Sequence, residues 1–167
     1  MARPFGDLMD REPARLANHI TRTVTGPMWH GPALAQALNG VSHEQAARRP
    51  VAGAHTIWEI VLHVTAWADI ARARIHGERT GDPTPAEDWP PVGATGEAEW
   101  HAVVERLRES HRALAREVRH LDEHAIGEKV AGLDYTVSNL LHGVIEHGTY
   151  HGGQIVLLGK VLERSSR

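Results

Sequence analysis

Leu140-Leu141-His142-Gly143-Val144-Ile145-Glu146-His147-Gly148-Thr149-Tyr150-His151-Gly152-Gly153-Gln154-Ile155 is the stretch whose reading decides the fold. Leu140, Val144, Ile155, Leu158 and Leu162 recur at helical spacing and define one apolar stripe. His147 and His151 stand one turn apart on that stripe, so both imidazoles point inward. Burying two imidazoles is costly unless something binds them, and a divalent metal ion is the simplest candidate.

The same helical period recurs through the chain. A first helix is expected from about Pro13 to Val24, with a short turn from Pro32 to Leu38. Ser42 with Gln45 three residues later has capping-box spacing, and Pro50 closes that short segment. The second long helix is expected from about Thr56 to His76, with Ile57, Ile60, Val61, Val64, Trp67, Ala68, Ala71 and Ile75 as its apolar face. Thr56 and Glu59 form its capping box, and Gly77 ends it. A third helix is expected from about Glu97 to Leu121, and a fourth from Thr136 or Val137 to about Glu163. No alternating run is long enough to build a sheet. The expected fold is all-α: residues 1–167 as a single four-helix bundle domain, with a long crossover between helices 2 and 3. The proline-rich stretch from Gly77 to Gly96 is that crossover, which would make helices 2 and 3 parallel.

Composition narrows the function. The formal net charge of −3 and pI of about 6.5 argue against nucleic acid or a membrane surface as partner. The chain has no cysteine, so a metal site must use His, Asp, Glu or water. Met1-Ala2-Arg3-Pro4-Phe5-Gly6-Asp7 lacks the apolar core of a secretory signal, and no apolar run is long enough to span a membrane. A cytoplasmic protein acting on a small-molecule substrate is the expectation.

His63 lies at the edge of the apolar face of the second helix, between Ile60 and Trp67. With His147 and His151 it can complete a three-histidine facial set, which leaves coordination positions open for water or substrate. The pair is not a metalloprotease motif, because Gly148 rather than Glu follows the first His. Glu-x-x-His occurs at Glu117–His120, which is too few acids for a di-iron bundle. Glu59, one turn before His63, is the candidate catalytic residue, as a general base or a hydrogen-bond partner of a ligand. A plain helix-start residue is the competing role. Gly143, Gly148, Gly152 and Gly153 each cost about 1 kcal/mol relative to Ala within a helix. Either close helix packing or space for a substrate must offset that cost. His111 follows the core spacing between Leu107 and Leu114, as a partner of the site or a buried imidazole bonded to backbone. Trp29 is expected to pack over a bundle end, and Arg48, Arg49, Arg72 and Arg74 to lie on solvated faces.

The segments Tyr150-His151-Gly152-Gly153-Gln154-Ile155 with His147 before it, His55-Thr56-Ile57-Trp58-Glu59-Ile60-Val61-Leu62-His63, and Trp29-His30-Gly31-Pro32 resemble the DinB-like superfamily, in the same order. The resemblance implies a four-helix bundle whose divalent metal (zinc, nickel or iron) is held by residues matching His63, His147 and His151. It also implies a homodimer. Characterised relatives include thiol S-transferases and thiol-dependent isomerases, so it implies a metal-dependent enzyme that activates a low-molecular-weight thiol, or a hydrolase that activates water. The alternative is a non-catalytic bundle that binds a metal or small ligand in stress response.

Overall fold

The computed structural model describes residues 11–164, so the reading of Met1–Asp7 lies outside the described residues. Among the described residues it contains eight helices and no strand beyond one isolated bridge between Lys129 and Thr136. They are α1 (Glu12–Thr25), α2 (Leu34–Ala37), α3 (His43–Ala47), α4 (Ile57–Ile75), α5 (Pro85–Asp88), α6 (Glu97–His120), α7 (Glu123–Gly127) and α8 (Val137–Arg164). The long helices α1, α4, α6 and α8 are the four that the apolar periodicity anticipates. No helix among the described residues is long and apolar enough to cross a membrane.

Local chemistry sets the helix starts. Ser42 and Gln45 form a capping box at α3, and Thr56 and Glu59 another at α4. Thr136 and Asn139 exchange the same pair of contacts ahead of α8. In the proline-rich stretch, where the sequence reading finds only irregular chain, Thr84 and Glu87 cap the single-turn helix α5, with Pro85 at its start.

Each of α1 and α4 packs against both α6 and α8. Trp58 near the start of α4 meets Trp100 near the start of α6, with ring centroids 5.0 Å apart. Arg72 near the end of α4 bonds Glu117 near the end of α6 at 2.6 Å. These two helices therefore lie side by side in the same direction. The core falls into two apolar clusters, one around Leu16, Ile20, Leu114 and Leu141, the other around Trp58, Ile60, Leu107 and Ile155. Along α4, His63 falls between Ile60 of one cluster and Ala68 of the other. Along α6, His111 falls between Leu107 and Leu114 in the same way. Along α8, His147 and His151 fall between Val144 and Ile155. A layer of imidazoles thus divides the core at mid-bundle.

The helix glycines divide by role. A Cβ on Gly148 would stand 2.5 Å from Thr23 Cγ2, so this glycine lets α1 approach α8 closely. A Cβ on Gly143 or Gly153 would meet nothing within 4 Å, so those two leave open space. Trp29 differs from expectation. It is 98% exposed, because its breaker-rich loop holds it off the bundle end.

Candidate metal centre

His63 from α4 and His147 and His151 from α8 converge, with one nitrogen of each within 4.8 Å of the others. Ring centroids are 4.7 Å apart for His63 and His147, 4.9 Å for His63 and His151, and 4.5 Å for His147 and His151. His63 and His151 are buried, and His147 is half-buried.

Neighbouring groups fix which nitrogens face inward. His63 Nδ1 lies 2.6 Å from the Asp88 carbonyl oxygen, which can only accept, so Nδ1 carries the proton and Nε2 presents a lone pair. His151 Nδ1 donates to Gln154 Oε1 at 2.6 Å, and Gln154 Nε2 donates to Tyr150 Oη at 3.0 Å. Nε2 is therefore the free nitrogen of both rings. His63 Nε2 stands 2.8 Å from His147 Nε2. Two imidazole nitrogens bound tetrahedrally to one zinc lie ~3.3 Å apart, from a metal–nitrogen bond of about 2.0 Å. A small separation of the two rings thus admits an ion.

Electrostatics agrees with a ligand role. Burial, reinforced by the neighbouring histidines, pushes the His147 pKa down to about 3. Burial also pushes His151 to about 4 and lowers His63 below its ordinary value, although Gln154 and Asp88 act in the opposite sense. All three imidazoles are neutral at pH 7, the protonation state that binds metal.

The segment around α5 supplies partners that periodicity does not reveal. Trp89 stacks on His63 at 3.8 Å and 2°, and on its other face against His55 at 3.5 Å and 7°. Asp88 Oδ1 accepts from Trp67 Nε1 at 2.7 Å and lies 3.3 Å from His63 Nδ1. The signal that foretells this is Thr84-Pro85-Ala86-Glu87, a capping box with proline at the first helical position.

The other candidates are not among the three converging residues. The Glu59 carboxylate accepts two hydrogen bonds from Arg49, at 2.7 and 2.9 Å, and one from the Thr56 backbone at 2.6 Å. Its pKa is lowered: burial opposes ionisation, but the Thr56 and Arg49 bonds outweigh it. It also lies 3.6 Å from His55 Nδ1. His30 and His142 are exposed, and His142 faces Glu12. His111 is fully buried and bonded through Nδ1 to the Leu107 carbonyl, the backbone-bonded alternative.

Two clefts flank the triad. One, of about 650 Å³, reaches His147 and is lined by Trp67, Arg74, Tyr135, Asn139 and Gly143. The other, of about 600 Å³, reaches His151 and is more apolar, with Ile60, Trp89, Leu157 and Leu158 in its walls. Three imidazoles, each with a nitrogen within 4.8 Å of the others, stand between two openings to solvent and form a site able to hold a divalent ion and admit a small ligand.

No curated protein and no solved structure matches the chain. The family model of the DinB superfamily matches residues 29–155, more than half of the sequence, and that span contains all three histidines. This chain belongs to the DinB superfamily.

Proposed function

We propose that the protein is a divalent-metal-dependent enzyme that activates a thiol or a water as nucleophile toward a small electrophile. The observation that carries this reading is the convergence of neutral His63, His147 and His151 between two solvent-accessible clefts. Three protein ligands leave further coordination positions for a small molecule. A bound divalent ion supplies Lewis acidity and lowers the pKa of a thiol or water that reaches it. The family's known metal binding and its thiol-using members favour a low-molecular-weight thiol as co-substrate.

The chain's own residues supply orientation. Asp88 and Gln154 hold Nδ1 of His63 and His151, which keeps both Nε2 lone pairs aimed at the centre. Trp89 covers one face of His63 and keeps water from it. Gly143 leaves the floor of the His147 cleft open. Glu59 serves as a positioning residue: it caps α4, and it stands beside His55, which stacks on Trp89.

The test is elemental analysis of tag-free protein purified without nickel resin, beside His63→Ala and His147→Ala. The expected result is about one divalent ion per chain, lost in both variants. Thiol–electrophile and hydrolysis assays on the loaded protein follow. Failure of the wild type to take up zinc, nickel or iron on titration overturns the enzyme reading. Tight metal binding without turnover of any substrate favours a binding bundle instead.

A further inference from the structure

Among the described residues, Arg74 is the only Lys, Arg, Asp or Glu that is buried, with 4% exposure. Its guanidinium carries five donors, yet it makes a single hydrogen bond, from Nη2 to the Gly81 carbonyl at 3.1 Å. Nε is buried with no partner. The nearest counter-charge, Asp82 Oδ1, is 3.7 Å from Nη2, and the Asp82 side chain is 94% exposed. Asp134, the other acid lining the cleft, is equally solvated and bonds Lys129. A buried cation so poorly compensated is costly to the fold. The Gly81 contact that anchors the neighbouring loop uses one donor and leaves most of the guanidinium unexplained.

The position of Arg74 supplies the explanation. It lines the same cleft as His147. Its Cζ lies 5.5 Å from the centre of the Trp67 ring and 5.9 Å from that of Tyr135. Trp67 is in turn 5.8 Å from the His147 ring. One indole therefore spaces the guanidinium from the candidate metal ligand, and two aromatic rings border the guanidinium. A planar fork of donors placed in this way matches a carboxylate.

We propose that this cleft takes a small molecule bearing a carboxylate, read by Arg74, with its reacting end directed toward His147. The second half rests on the metal-dependent reading above; the carboxylate subsite does not. The ligand carboxylate displaces the solvated Asp82 and meets the guanidinium donors that have no acceptor.

Two measurements test this. In metal-free protein labelled with nitrogen-15, titration with propionate is expected to shift the Arg74 Nε–H resonance, assigned by its absence in Arg74→Met. In cobalt-loaded protein, the thiolate charge-transfer band is expected to report 3-mercaptopropionate binding at least ~10-fold tighter than 3-mercapto-1-propanol, the scale of a hydrogen bond to a charged group. Arg74→Met, which keeps an apolar stem against Trp67 and Tyr135, is expected to abolish that preference while its affinity for the alcohol stays unchanged. An unmoved Arg74 resonance in both metal-free and zinc-loaded wild type overturns the proposal. So does equal affinity for the acid and the alcohol in the wild type. A protein that binds no metal defeats the enzyme reading, and the propionate titration then decides the carboxylate subsite alone.

Discussion

A metal-binding imidazole needs its other nitrogen occupied, and at the residue scale the hydrogen bond from His151 Nδ1 to Gln154 Oε1 performs that task. Gln154→Leu removes the acceptor but keeps the size of the side chain. Metal affinity is expected to fall about 10- to 100-fold, with the helical circular dichroism unchanged. Competition against a chromogenic chelator reads the change, and an unaltered affinity would refute the role. His111 tests another consequence of the imidazole layer. Burial holds its folded pKa at about 4 against an ordinary value of 6.5. Between those values the unfolded chain binds more protons than the folded one. The neutral imidazole therefore gives its full contribution above pH 6.5, and stability declines as pH falls toward 4. In metal-free protein His147 and His151 act in the same direction. Urea midpoints at pH 7, 6 and 5 are expected to fall with pH, and less steeply in His111→Leu. Equal slopes in the two proteins would show that His111 contributes nothing.

At the scale of the element, the glycines of α8 separate packing from space. Gly148→Ala places a methyl against Thr23 and is expected to cost about 1–3 kcal/mol through overpacking. Gly143→Ala meets open space and is expected to gain up to about 1 kcal/mol of helix propensity. Denaturant unfolding of both variants gives the comparison, and a gain at Gly148 would contradict the close approach of α1 and α8. The single turn α5 is a second case. Its cap, Thr84, is exposed, whereas the turn carries Asp88 and Trp89 onto His63. Thr84→Ala is expected to weaken metal binding and change global stability by no more than about 1 kcal/mol. Metal affinity unaffected by loss of the cap would mean that packing of Trp89 alone holds the turn. Periodicity is silent here because one turn is too short to show a period. The capping box and its proline are the signals that remain.

For the whole molecule, a ligand that binds only the folded state raises stability by mass action. Zinc at about 1,000 times its dissociation constant is expected to add about 4 kcal/mol. That corresponds to roughly 8–16 °C in melting temperature for a chain of this size. The shift should vanish with chelator and be absent in His63→Ala, as differential scanning fluorimetry can follow. An equal zinc shift in that variant would place binding elsewhere, among the exposed histidines.

The sequence by itself determined the four long helices and the facing histidines. Helical spacing of apolar residues places the long helices to within a residue or two, because each must bury one face. The same periodicity puts His63, His147 and His151 on those faces, and the chain's lack of cysteine narrows the ligand chemistry to imidazole, carboxylate or water. Only the tertiary structure decided which neighbours complete the site. Asp88 and Trp89 stand 25 and 26 positions after His63, across a proline-rich segment, so no local spacing relates them to it. Glu59 is one turn from His63 in sequence, yet Arg49 and the Thr56 backbone claim its carboxylate. Arg74 reads as one of several solvated cations until the loop at Gly81 and the rings of Trp67 and Tyr135 close around it. Periodicity reports which face of a helix is buried, because that follows from local geometry. Which polar group meets which depends on how distant segments pack, and that is settled only when the chain has folded.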